Sequence, residues 1–262
     1  MGGSKKGTEE WWQQYLTQGH QLEGIARVLF PRLPGGERCK VCSVPFGGFG
    51  RIFRLFGWAP SSKNPRLCGF CSDRLPAGGA NVQVAVLVAD VRGYTSMSER
   101  LSGQEVAAKM NRFFESCTST LMEHDALIDK YLGDAVQALF LPGIAGADYV
   151  RSAIRAALAL SKEFQEAGLP VGVGVHCGEA FVGNVGIAGI IDLTAMGDVV
   201  NTVHRLQGMA APGEVIVTDA VYESFGADSL GEFESGWSRL DLELKGKTDK
   251  VIGWVTPDRS QG

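Results

Sequence analysis

The sequence predicts an α+β protein whose main domain is a ferredoxin-like βαββαβ sheet, preceded by a small helix and a module with four cysteines. Three observations lead there. From Val82 onward, apolar runs of strand length alternate with long amphipathic stretches in the order strand, helix, hairpin, helix, strand, which is the split βαβ arrangement with helices on one face of a sheet. Before Val82 that periodicity is missing, and two CxxC pairs mark a compositionally different region. The composition, 45% hydrophobic and 21% charged over 262 residues, is that of a folded protein with room for one good core and an appendage.

The elements follow in order. Trp12, Leu16, Leu22, Ile25 and Leu29 recur at near-helical spacing, so residues 8–30 predict an amphipathic helix, closed by Pro31 and the PGG at 34–36. This sets a first segment at 1–36. Residues 37–76 are rich in Gly, Pro, Arg and Cys and predict a metal-stapled module; the small residues PAGGAN at 76–81 then read as a linker. The main domain is placed at 82–257. Within it VQVAVLVADV predicts a buried strand, residues 98–124 a long helix, and ALIDKYL and AVQALFL a hairpin turning at Gly133 and Asp134. YVRSAIRAALALSKEFQEAG predicts a second helix, followed by two strands in LPVGVGVHCG and EAFVGNVG.

A formal charge of -4 argues against general nucleic-acid binding, because proteins that track phosphate backbones carry a basic excess. No run reaches the roughly 18 to 20 apolar residues of a membrane span, and the N-terminus lacks a secretion signal, so a cytoplasmic protein with no membrane partner is expected.

Two carboxylates carry the chemistry. Asp90 ends the first strand in VADVRGYT, and Asp134 occupies the hairpin turn in DKYLGDAVQ. Alone, either would read as a turn or cap residue. If the two elements are neighbours in one sheet, both acids project from one edge, where they would suit hard divalent cations.

Over residues 82–257 the chain resembles the class III adenylate and guanylate cyclases, on VADVRGYT, the KYLGD of the hairpin and DLTAMGDVVNTVHRL downstream. The resemblance implies that Asp90 and Asp134, with the backbone carbonyl of Val91, bind two Mg²⁺ or Mn²⁺ ions. It makes Lys130 the reader of the purine edge and Thr194 the second base-selecting residue, a Lys and Thr pair that favours ATP. Asn201 and Arg205 take the roles of ribose positioning and stabilisation of the transferring phosphorus; four residues apart, they share one helix face. Val203 and His204 replace the usual small residues between them, and His204 is expected to pack or face solvent rather than act as a base. Lys245, with Lys247 as the alternative, is implied to grip the terminal phosphates, while Phe181, Gly183, Asn184 and Gly186 are assigned to structure. One copy of each motif implies a homodimer with shared active sites that makes cyclic AMP. A cyclase for GTP or a pyrimidine nucleotide, and a catalytically silent nucleotide-binding regulator, stay open as alternatives.

Cys39, Cys42, Cys68 and Cys71 have 25 residues between the two pairs, a spacing that suits a tetrahedral structural zinc; an iron–sulfur cluster uses the same ligands. Arg51, Arg54, Trp58 and Arg66 nearby raise a nucleic-acid-binding zinc ribbon, which the acidic net charge disfavours. Cys117 and Cys177 are expected to be free core thiols.

Overall fold

Strand β1, Gly78–Val91, is fully enclosed from Val84 to Ala89, which is why its sequence runs apolar without alternation. The structure, a computed structural model, describes residues 7–19, 29–48, 50–187, 190–224, 236–242 and 250–256. These fall into two compact units that interleave along the chain: 1–83, 141–147 and 179–196 form the first, and 84–140, 148–178 and 197–262 the second.

The second unit is built on a sheet. With β2 at Leu127–Leu132, β3 at Ala135–Phe140, β4 at Val171–Ile187, β6 at Val215–Thr218, β7 at Ser238–Leu242 and β8 at Val251–Val255, the strand order is β2-β3-β1-β4-β6-β8-β7. Its first four positions are the ferredoxin-like order that the sequence predicts. The β1 and β3 strands are antiparallel, and β4 and β6 are parallel. The last two strands in sequence, β7 and β8, lie beyond the elements that the periodicity identifies.

The predicted helix over 98–124 is two helices, α3 at Tyr94–Arg100 and α4 at Gly103–Glu123. The break has a local cause. Leu101 and Ser102 are extended, and Ser102 opens α4 with a capping box: its hydroxyl accepts from the Glu105 N–H, and its own N–H donates to the Glu105 carboxylate at 2.9 Å. Helix α4 packs on the second long helix, α6 at Tyr149–Glu166, through Phe113 and Phe164, whose ring centroids stand 5.3 Å apart. The following helix, α7 at Asp198–Met209, buries Val199, Thr202, Val203, Leu206 and Gln207.

In the first unit, α1 at Glu9–Gln18 is capped by Thr8 and ends at Gly19, whose φ of 76° suits a residue without a side chain. It buries Trp12, Tyr15 and Leu16. The predicted helix ran to residue 30; Leu22 and Ile25 lie outside the described residues, and Leu29 is exposed ahead of a 3₁₀ turn at Phe30–Arg32. A five-residue helix, α2 at Gly50–Arg54, lies between the cysteine pairs, and a four-residue helix, α5 at Pro142–Ala145, follows β3. The two strands predicted around Gly178 are one, β4, whose latter half pairs with β5 at Ile190–Met196 to make an arm in register from Phe181↔Met196 to Ile187↔Ile190.

The expected linker at 76–81 is largely the start of β1. A Cβ on Gly79 would stand 2.5 Å from the Val182 carbonyl oxygen and 2.7 Å from the Gly183 Cα. These small residues are there for close backbone approach, not for flexibility. No described helix is long and apolar enough to cross a membrane.

Candidate active site

Asp90 sits at the end of β1, opposite Ala135 of β3, and the Val91 N–H donates to the Asp134 carbonyl at 3.1 Å. The hairpin turn, eased by a φ of 66° at Gly133, thereby sets Asp134 beside Asp90. One carboxylate oxygen of Asp90, Oδ1, is buried and has no hydrogen-bond partner among the described residues. Burial, and next the Asp134 charge, push the Asp90 carboxyl up to about 6. Two adjacent carboxylates, one with an orphaned oxygen, form an oxygen donor set that a divalent cation would satisfy.

Arg92, which the sequence did not single out, lies 3.6 Å from the other Asp90 oxygen. Its guanidinium is tied to the end of α7, donating to the Ala210 carbonyl at 2.9 Å and to the Gln207 carbonyl. This partial charge compensation holds the acid in place without capping Oδ1.

Lys130 is half-buried on β2, and its ammonium lies 3.5 Å from Oδ1 of Asp129. The β2–β3 register shifts between Ile128 and Lys130, so Asp129 occupies the irregularity and is fully buried. Its other oxygen accepts from the Gln137 side-chain amide. A carboxylate accepts only, so the Gln137 carbonyl must face the other way, where it meets His204 Nε2 at 2.7 Å. His204 therefore carries its proton on Nε2, and burial pushes its pKa down, in keeping with a neutral ring. A polar line thus runs from the helix of Asn201 and Arg205, through Gln137 and Asp129, to Lys130. Neither Asp129 nor Gln137 was legible as a functional residue, because both lie in apolar strand text.

Asn201 is exposed and Arg205 partly exposed on α7; among the described residues neither side chain makes a hydrogen bond or ion pair. Six of the predicted site residues, Asp90, Val91, Lys130, Asp134, Asn201 and Arg205, belong to the second unit. Thr194 belongs to the first, buried on β5 opposite Gly183, with its hydroxyl 3.3 Å from the Ala195 carbonyl. Lys245 and Lys247 lie outside the described residues.

The four module cysteines are buried, and their sulfurs all lie within 4.8 Å of one another. Cys117 is buried in α4, and Cys177 is half-buried with its thiol pushed up to about 11 by burial; neither is poised as a thiolate.

Residues 79–256 match the family described as the Adenylate and Guanylate cyclase catalytic domain. The adenylate cyclase of Anabaena cylindrica is 31% identical over 202 residues, covering 70% of this chain and 40% of that protein. Adenylate cyclase 1 of Rhizobium meliloti is 33% identical over 137 residues, covering 48% of this chain and 21% of that one. The chain thus spans less than half the length of these relatives. Among solved structures, the adenylyl cyclase CyaB from P. aeruginosa superposes with a TM-score of 0.60 at 24% identity, covering 70% of this chain and 97% of that chain. The guanylyl cyclase Cya2 does so with a TM-score of 0.59, also at 24% identity and with the same coverage.

Proposed function

Because this chain belongs to the adenylate and guanylate cyclase catalytic domain family, we propose that it is an adenylate cyclase that converts ATP to 3′,5′-cyclic AMP and pyrophosphate. The observation that carries this reading is the pairing of Asp90 with Asp134 at one sheet edge, with the orphaned Oδ1 of Asp90 between strand end and turn. Asp90, Asp134 and the carbonyl of Val91 would hold Mg²⁺ or Mn²⁺. Bound there, such ions would supply acidification of the ribose 3′-hydroxyl and neutralisation of the phosphate chain.

In the reaction, the ribose 3′-oxygen forms a bond to the α-phosphorus as the bond to the pyrophosphate oxygen breaks, and the hydroxyl proton leaves to solvent. Lys130 offers donors only, which suits a ring nitrogen of adenine and not the N–H edge of guanine. Asp129, itself held by the Gln137 amide, lies against its ammonium. Thr194 would accept from the adenine amino group, Asn201 would orient the ribose, and Lys245 would bind the terminal phosphates. Arg205, a planar and permanently charged group, would stabilise the negative charge that builds on the phosphoryl oxygens.

A homodimer with shared sites is the assembly that fits one copy of each motif. Three large apolar side chains near these residues support it: Tyr131 and Leu132 beside Lys130, and Met209 at the end of α7, are 49%, 40% and 49% exposed. Mixing the inactive Asp90→Ala and Arg205→Ala chains is expected to restore part of the activity; complete failure to complement would rule out sites shared in this way.

The deciding experiment is mass-spectrometric product analysis with Mn²⁺ and each of ATP, GTP, CTP and UTP, with Asp134→Ala as control. Cyclic AMP that disappears in the control is the expected result. A different cyclic nucleotide would overturn the base assignment, and absence of any product would favour a nucleotide-binding regulator.

A further inference from the structure

We propose that Cys39, Cys42, Cys68 and Cys71 hold a single zinc ion whose task is to brace the β4–β5 arm that carries Thr194. The metal and the brace stand on the first unit alone; the consequence for nucleotide selection rests on the cyclase reading.

The sulfur geometry favours one tetrahedral ion. Zinc–sulfur bonds of about 2.3 Å put the corners of the tetrahedron about 3.8 Å apart, and the Sγ atoms of Cys42 and Cys68 are 3.7 Å apart. That is far beyond the ~2.05 Å of a disulfide. An iron–sulfur cluster needs space for its inorganic core and would spread its cysteines more widely than sulfurs that all lie within 4.8 Å. Each CxxC is a tight turn, with Ser43 N–H donating to the Cys39 carbonyl at 2.8 Å and Cys71 N–H to the Cys68 carbonyl at 2.9 Å. The turns also grip each other: the Cys68 N–H points at Cys39 Sγ at 3.3 Å, and the Lys40 N–H donates to the Arg66 carbonyl at 3.0 Å. A backbone N–H aimed at sulfur is what a metal-bound thiolate accepts.

Besides the sulfurs, the module is held by the rings of Phe30, Phe53, Trp58 and Phe70 and by the buried Val41, Val44, Phe46 and Leu67. Among the described residues, the module's regular structure is limited to α2 and two isolated bridges, Arg38↔Pro45 and Pro60↔Cys68. A segment of this size, 37–76, is near the ~40-residue limit below which a metal or disulfides usually replace a core.

From the last cysteine the chain leads directly to the arm. The Tyr15 hydroxyl of α1 donates to the Cys71 carbonyl. Four residues later the Leu75 carbonyl, and then that of Pro76, accept from the Asn184 side-chain amide at 2.9 and 3.2 Å. Asn184 lies on β4 opposite Leu193, and the next pair in the ladder is Gly183 with Thr194. A second tie, the ion pair of Lys63 with Asp192, joins the loop between the cysteine pairs to β5. The pair is partly exposed and contributes little by itself; the Asn184 amide is the main link.

The test uses the full chain. Metal analysis of the purified protein is expected to give one zinc per chain, released as an organomercurial titrates four thiols; a chain without zinc, or one holding iron instead, would overturn the metal assignment. On zinc release, amide exchange is expected to rise at least about tenfold across 181–187 and 190–196 while the hairpin at 127–140 stays unchanged. Unchanged exchange in the arm would overturn the brace. Because cysteine variants risk losing the module altogether, Asn184→Ala supplies the independent check: it should keep its zinc yet loosen the arm, and an arm as protected as in the parent chain would overturn the proposed link. The same variant should raise KM for ATP more than it lowers kcat. If even the zinc-loaded parent makes no cyclic nucleotide, the cyclase reading fails while the zinc and exchange results still decide the brace.

Discussion

The two ends of β1 are built from opposite materials. Next to its C-terminal end stands Asp90, a carboxylate with an oxygen that no described residue satisfies. At its N-terminal end it begins with Gly78 and Gly79, where the facing Gly183 comes so near that neither backbone has room for a side chain. The first end keeps a costly polar group because a cation would take it up. The second omits side chains so that two strands can lie against each other. Chemistry at one end and close approach at the other are therefore expected to fail differently when mutated.

Arg205→Ala is expected to lower kcat by ~10²–10³-fold, worth ~3–4 kcal/mol, because a charge-stabilising donor is lost. Its thermal unfolding should match the parent, since the side chain bonds to no described residue. Steady-state kinetics beside a melting curve would check both halves; a large drop in melting temperature would mean that Arg205 is structural. Gly183→Ala should do the reverse. Its Cβ would stand 2.3 Å from the Gly78 carbonyl oxygen and 2.4 Å from the Gly79 Cα, so overpacking is expected to cost ~1–3 kcal/mol in denaturant unfolding. An unfolding midpoint equal to the parent's would show that the two strands can separate freely.

The same contrast explains what was legible in the sequence. Asp90, Lys130 and Asp134 stand in short, dense motifs, as the proposed chemistry would require by fixing residue type as well as place. The four cysteines are equally plain, since two thiolates per tight turn leave a spacing that can be read. The start of β1 reads as a linker because glycines needed for close packing have the same letters as glycines needed for flexibility. Residues 98–124 read as one helix because the capping box at Ser102 and Glu105 sits inside an otherwise helical pattern. Gln137 was hidden by the strand around it: a polar residue in AVQALFL reads as solvent-facing until a partner such as Asp129 is seen. Tertiary contacts, absent from any local window, decide the first and the last; the helix break is a local signal masked by the longer period around it.

The acid end of β1 also has a pH signature. On the proposed reading a proton and a cation would compete for Asp90, whose carboxyl is pushed up to about 6 mainly by burial and then by Asp134. Protonation below that value removes the cation's ligand, so Mn²⁺ should bind about tenfold more weakly at pH 5 than at pH 7, with little change above pH 7. Isothermal titration calorimetry across that range would measure it, and an affinity flat from pH 5 to 7 would show that Asp90 is not a ligand.

The smallest effect is expected at His204, and it tests whether the polar line to Lys130 matters. The imidazole donates to Gln137, which in turn donates to the buried Asp129 beside Lys130. His204→Ala removes one hydrogen bond and leaves the Gln137 carbonyl without its donor, so unfolding stability should fall by about 1 kcal/mol. Because Asp129 then restrains Lys130 less well, KM for ATP should rise a few-fold at nearly constant kcat, and discrimination against GTP should weaken. A drop in stability with KM and base preference unchanged would mean that the line ends at Gln137 and serves packing alone. A fall in kcat at constant KM would instead put His204 in the chemical step beside Arg205, one residue further along the same helix.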